Sequence, residues 1–518
     1  MKIAFLWPPA NSVEETLPLP FGLLFDVIRG HGHEVRLFNL PLEGWQPDAP
    51  EFLDAIGAFA PDLVGATAWP MSFTSSVATV RAVRQRLPGA TYIIGGNYAS
   101  LNPEVTYDTG LFDYVLMGEA ERTFPRFLEL LAARDRDGLA ALEGIYFRDE
   151  AGHIVRNRNV FHADLDALGA FDYEFMELDR AIERGYQRTF LGARRKAPII
   201  ATRGCPYACH FCTVPAMNGT APRHYSVGYL VGQITALYQK HSVRHINFMD
   251  DNPTMELDFF KELCRAIVAR KKDGTLRGLV LENYRGTRLE HLDPEVCVLM
   301  KQAGFRHVVI APESGSPRVR TMMNKEMSDE AVWAAVRMIK AAGLKLHGFF
   351  LVGYPGETVE ERRQTYRFVR EADFDAFKLH KFIALPGTAS FRKLVKDGHI
   401  EEVYTPEGYL LGNPLPNFNQ DDPYDVDREI FGEYAKFYLR FPWRIQELLR
   451  MAPVSMLWRA LIGITRGAGA ALGLVAKVMP SLGSQGRMPS ISDGAEGVEV
   501  TAQTEGPLVR LGRQRPEA

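Results

Sequence analysis

Cysteine is scarce in this chain, with five among 518 residues, which excludes a disulfide-stapled secreted scaffold. Excess charge of one sign is missing too. Lys and Arg number 60 against 63 Asp and Glu, a formal net charge of -3, so no general electrostatic surface for nucleic acid is expected. The start, MKIAFLWPPANSVEE, lacks the apolar core of a signal peptide; one Lys and a short apolar stretch before proline read as a first β-strand of a cytoplasmic protein. Nor is there an unbroken apolar run of about 20 residues, the length a spanning helix needs. The nearest approach, APVSMLWRALIGITRGAGAALGLVAKVMP, is interrupted by Arg459, Arg466 and several glycines. It leaves open a packed helix or one lying on a membrane or over a greasy substrate channel.

The cysteine that is present is concentrated. Cys205, Cys209 and Cys212 fall in ATRGCPYACHFCTVP. That C-x-x-x-C-x-x-C spacing offers three thiolates from one loop to an iron-sulfur cube and leaves the fourth iron open to bind a substrate or cofactor. Phe211 stands just before the third cysteine. A zinc site completed by His210 or His224 is the competing reading, but zinc knuckles pair two short-spaced couples and no second couple is present. Cys264 and Cys297 are isolated in helical patterns and read as small buried hydrophobes.

Two stretches alternate strand and helix patterns. Up to about Leu130 the strands are KIAFLW, EVRLFNL, DLVGATA, TYIIGG and DYVLMG, separated by runs apolar at helical spacing, which argues for a parallel sheet covered on both faces. Several end in turn residues, among them Gly95-Gly96 and Gly118-Glu119, where a ligand crosses the carboxyl edge of an open sheet. The alternation resumes at Ala197 with APIIATRG, HINFMDD, LVLENY, HVVIAPES, KLHGFFLVG and AFKLHKFIAL, each followed by a helix-length amphipathic run. Between the two lies a short hairpin pattern and an acidic, aromatic-rich segment.

Together these segments resemble the cobalamin-binding radical S-adenosylmethionine (SAM) superfamily, in particular its methyltransferase-like branch. The resemblance rests on the cysteine motif, on PDLVGATAW, YIIGGNYASLNPE and DYVLMGEAERTFPRFLELL, and on MDDN, IAPESGSPRVRTMMNKEMSDE, GFFLVGYPGET and ALPGTASF, covering roughly Met1 to Lys396. It implies an α/β chain: a Rossmann-like cobalamin-binding domain over 1–135, a linker over 136–190, a partial (β/α)6 radical SAM barrel over 191–395, a mostly helical C-terminal region over 396–480 and a disordered tail over 481–518.

It also implies roles. Cys205, Cys209 and Cys212 would hold a 4Fe-4S cluster whose open iron chelates SAM, with Phe211 beside it. Glu313 and Ser314 would meet the ribose hydroxyls or ammonium of SAM, Asp250 and Asp251 its amino group, and Arg288 its carboxylate. Thr67, Gly95, Gly96, Gly118 and Glu119 would border cobalamin. Trp69 is either a cover for the lower face of cobalt or a ring packed under the following helix. No D-x-H-x-x-G stands after the first strand, so no histidine is expected on cobalt; His31 and His33 fall at the wrong edge.

The implied function is methylation of an unactivated carbon of a small-molecule or lipid-like substrate, through a 5′-deoxyadenosyl radical and a methyl group carried by cobalamin. An electron donor such as flavodoxin or ferredoxin is implied as partner. Ring closure or rearrangement without methyl transfer is the alternative, and a non-catalytic corrin or redox sensor the alternative of another class. Methylthio transfer is disfavoured because a second cysteine trio is missing.

Overall fold

The computed structural model describes residues 1–9, 17–186, 195–283, 285–400, 418–419 and 426–451. The apolar C-terminal stretch, the expected tail and residues 10–16 of the first strand-helix connection lie outside the described residues.

Each expected strand forms. β1 (Lys2–Trp7), β2 (Glu34–Asn39), β3 (Leu63–Thr67), β4 (Thr91–Gly95) and β5 (Tyr114–Leu116) run parallel in the order β2-β1-β3-β4-β5. β6 (Ile145–Arg148) and β7 (Ile154–Arg156) extend the same sheet in antiparallel pairing. The hairpin expected in the linker is therefore the far edge of the first sheet. Alternate residues explain why these strands read as continuous apolar runs: Ile3, Phe5 and Ile93 enter the core on one face, while Ala4, Leu6 and Ile94 enter the core on the other. The strand order reverses between β1 and β3, the switch point at which open α/β sheets take ligands.

The barrel is an open arc of two three-stranded parallel sheets. One holds β8 (Lys196–Ile199), β11 (His245–Phe248) and β12 (Val280–Asn283); the other holds β13 (His307–Glu313), β14 (Lys345–Val352) and β15 (Ala376–Lys381). Isolated bridges, Leu281 to Phe305 and Thr287 to Ile310, join them. A short antiparallel pair, β9 (Thr202–Arg203) with β10 (Arg223–His224), brackets the cysteine loop.

Outward residues such as Ile199, Phe248, Leu281, Ile310, Phe350 and Leu379 pack under the helices. The linker joins that core through Leu165, Leu168, Tyr173 and Met176, and Tyr173 Oη donates to the Pro198 carbonyl at 2.6 Å. Residues 1–459 accordingly form one unit.

The inward face at the amino end of the barrel is charged rather than apolar. Lys196 Nζ meets Glu282 at 2.9 Å with both side chains buried, and His307 stacks on His347 at 4.1 Å. Helix Pro442–Met451 closes this end, its Glu447 lying 3.5 Å from His347 and 3.7 Å from Arg306. Burial pushes His245 down to about 4 and His307 to about 3, so both imidazoles are neutral at pH 7.

Candidate active site between the sheet and the barrel

A cavity of about 380 Å³ lies between the carboxyl ends of the first sheet and the mouth of the barrel. Its sheet wall combines a glycine-rich carboxyl edge with the side chains of Phe5, Ile93 and Leu116. Thr67, Gly95, Gly96, Gly118 and Glu119 all border it. Gly96 has φ +90°, and a Cβ there would stand 2.5 Å from the Ala68 carbonyl oxygen, so a side chain is excluded by both strain and space. Gly118 has φ +71° and donates its N–H to Ser100 Oγ at 2.9 Å. Trp69 is not in the lining. Its ring packs on Trp7 with centroids 4.7 Å apart, in the cluster on the face of the sheet away from the following helix, so it packs elsewhere than under that helix.

Thr213 and Val214, the two residues after Cys212, form part of the opposite wall. The cysteine loop is held by backbone bonds, Cys205 N–H to Gly219 O at 3.1 Å and His210 N–H to Met323 O at 2.9 Å. All three cysteines are free and partly exposed. Burial pushes their thiols up, Cys212 to about 12, the condition that a bound metal reverses by ionising sulfur outright. The donor set fits a cluster: soft thiolates, unbridged, with the Arg288 guanidinium 3.9 Å from Cys209 Sγ to offset the negative charge. Among the described residues no three His, Cys, Asp or Glu side chains converge on a single ion position. A cube instead spreads its cysteines over separate irons.

The residues expected around SAM divide. Asp251 borders the cavity, held by Asn218 at 2.6 Å and Arg285 at 3.2 Å. Asp250 turns the other way: its Oδ1 accepts from the Ala201 and Thr202 N–H groups and from Thr202 Oγ1, and it is 1 % exposed. It fastens the end of β11 to the end of β8, and burial pushes its carboxyl up to about 7. Glu313 sits in the left-handed region, φ +65°, and pairs with Lys325 at 2.6 Å. Lys325 in turn lies 6.0 Å from the Phe211 ring, so Glu313 reaches the cysteine loop through this lysine. Ser314 bonds Thr365 Oγ1 at 3.1 Å and receives the Ser316 N–H, a turn-forming role. Arg288 lies over the Tyr207 ring at 3.6 Å and bonds Glu290 at 2.7 Å.

One arrangement escaped the sequence. Glu119 and Glu121, just beyond β5, meet Arg203 and Arg223 of β9 and β10. Arg223 grips Glu119 through two bonds of 2.8 and 2.7 Å, Arg203 lies 2.7 Å from Glu121 and 3.4 Å from Glu119, and each of these side chains is at most 9 % exposed. Arg203 stands two residues before Cys205, so this clamp ties the glycine edge of the sheet to the cysteine loop. Glu121 Oε2 and Arg223 Nε are buried without a hydrogen-bond partner. Glu119 is thus committed to protein partners, although it also borders the cavity.

Comparison with known proteins agrees with the two-part fold. The Radical SAM superfamily model matches residues 199–369, and the B12 binding domain model matches residues 10–128. Cytidylyl-2-hydroxyethylphosphonate methyltransferase of Streptomyces wedmorensis is 25% identical over 448 residues, 77% of this chain and 83% of that protein. Anaerobic magnesium-protoporphyrin IX monomethyl ester cyclase of Rubrivivax gelatinosus is 25% identical over 395 residues, 74% of this chain and 67% of that protein. The solved radical SAM methyltransferase TsrM of Kitasatospora setae shares the fold, with a TM-score of 0.62 at 18% identity over 76% of this chain and 75% of that one.

Proposed function

The chain belongs to the cobalamin-binding radical SAM superfamily, and from that premise we propose that it methylates an unactivated carbon of a small-molecule substrate. It is a cobalamin-dependent radical SAM enzyme; its cofactors are a 4Fe-4S cluster, SAM and cobalamin. When bound, these supply a 5′-deoxyadenosyl radical and a methyl carrier.

The observation that carries the proposal is that one cavity is lined on one side by the glycine-rich carboxyl edge of the first sheet and on the other by the residues following Cys212. A methyl carrier seated on that edge and a radical source seated on the cysteines would then share a single chamber. In this proposal Cys205, Cys209 and Cys212 hold the cluster. Asp251, with Asn218 and Arg285 fixing its orientation, accepts the SAM ammonium, and Arg288 keeps positive charge beside the thiolates. Asp250 holds β8 and β11 in register, a positioning role in place of the ligand contact expected of it. The first electron comes from an external donor such as flavodoxin or ferredoxin.

The Streptomyces relative's name is that of a methyltransferase and the Rubrivivax relative's that of a cyclase. Methyl-labelled SAM separates the two outcomes. Anaerobically reconstituted protein should carry about four irons and release 5′-deoxyadenosine, and extracts from cells lacking the protein should contain a compound that gains labelled methyl. Product without label after several turnovers would establish ring closure or rearrangement instead. Cys209→Ala should abolish 5′-deoxyadenosine; undiminished release would overturn the cluster assignment. Among the described residues no helix is long and apolar enough to cross a membrane.

A further inference from the structure

β15 presents two unlike faces. Phe377 and Leu379 are buried in the core, where Phe377 stacks on Tyr434 at 4.8 Å and the Leu379 N–H donates to Tyr434 Oη at 2.8 Å. By alternation Lys378 and His380 take the inward face of the barrel. Phe349, the register partner of Lys378 on β14, lies between them: Lys378 Nζ is 5.6 Å from its ring centroid, and the His380 ring meets it edge-on at 6.2 Å.

Register also fixes their depth. Glu313 pairs with Phe350 and Phe350 with Leu379, so Lys378 and His380 flank the level of Glu313 at the reactive end of the barrel. His380 keeps accessible surface, while the atoms packed around it desolvate the ring and push it down to about 4. Lys378 has no carboxylate within ion-pair distance among the described residues. It is partly buried, and partly buried lysines ordinarily find a counter-charge.

We propose that Lys378 and His380, with Phe349 between them, form a subsite for an oxyanion of the substrate, a carboxylate or phosphoryl group. Lys378 supplies the charge, neutral His380 donates one ring N–H to the oxyanion, and the Phe349 ring packs against the adjoining apolar part of the molecule. This rests on the proposed function only in taking the barrel interior as the substrate chamber.

The test is binding to the full chain, followed by calorimetry, with benzoate and phenyl phosphate as probes and benzamide as the neutral control. Wild type should bind at least one anion more tightly than benzamide, and the preferred anion names the oxyanion. Lys378→Met should weaken that anion by about tenfold or more while leaving benzamide unchanged, and Lys378→Arg should retain it within about threefold. Undiminished anion binding by Lys378→Met, or anions bound no better than benzamide in wild type, would overturn the subsite. Retention by the Arg variant shows that loss in the Met variant is not misfolding. None of these readings requires SAM cleavage, so failure of the subsite and failure of the methyl-transfer proposal are separately visible.

Discussion

Replacing Arg223 by Met tests the clamp between the sheet and the cysteine loop. The substitution removes two charge-assisted bonds and leaves the Glu119 carboxylate, 5 % exposed, with Arg203 at 3.4 Å as its remaining cation. Taking one partner from a buried pair costs about 3–5 kcal/mol, because the charge left behind stays desolvated. Neutralising both sides is expected to cost far less, since each ion carries its own desolvation penalty and Arg223 Nε is already without a partner. Arg223→Met should therefore lower the apparent melting temperature by several degrees, on the order of 1–2 °C per kcal/mol for a unit of this size. Glu119→Gln combined with Arg223→Met should recover about half or more of that loss. Differential scanning fluorimetry of the four proteins of the cycle gives the coupling. Strictly additive losses would refute the reasoning, as would an Arg223→Met variant that melts with wild type.

Asp250 should make stability depend on pH in a direction opposite to most carboxylates. Its folded value of about 7 exceeds the unfolded value near 3.9, so the stabilisation it contributes is complete below about pH 4 and is lost as pH rises to 7. Asp250→Asn, which keeps an acceptor for the Ala201 and Thr202 N–H groups, should gain on wild type in melting temperature between pH 5 and pH 8; a constant difference would contradict this. Gly96→Ala, at φ +90° and 2.5 Å from the Ala68 oxygen, should cost more than about 1–2 kcal/mol and reduce the corrinoid absorbance retained on gel filtration, while 5′-deoxyadenosine release continues. No histidine borders the cavity among the described residues, so the cob(II) resonance spectrum should lack nitrogen splitting from a protein imidazole. Trp69→Phe should leave that spectrum unchanged, and a shifted one would restore the ring as a cover for cobalt.

The central strands of the first sheet were legible because both of their faces are buried, which leaves apolar runs ending at residues such as Gly95 and Gly118. What escaped depends on register. Asp250 and Asp251 are neighbours at one strand end and point in opposite directions, and no periodicity says which one meets the cavity. Glu119 and Arg223 are 104 residues apart, and their pairing has no local signature. Lys196, His245 and His307 open their strands and so look like solvated flanks, whereas Lys196 and His245 face Glu282, and His307 stacks on His347, which Glu447 of helix Pro442–Met451 reaches. Lys378 and His380 read as strand polarity until Phe377 and Leu379 show which face is core.

The ionic floor of the barrel gives the chamber a direction. Lys196, Glu282, His307 and His347 are each at most 4 % exposed, so among the described residues this charged cluster closes the amino end to solvent. Substrate enters and product leaves past the same rim, and that rim is where radical chemistry would take place. Water and oxygen that follow the same route meet the rim first. Collateral oxidation from aborted turnovers should therefore leave its record on side chains near the mouth, such as Met249 and Phe349, and spare the histidines below, a pattern that peptide mapping after air exposure can read.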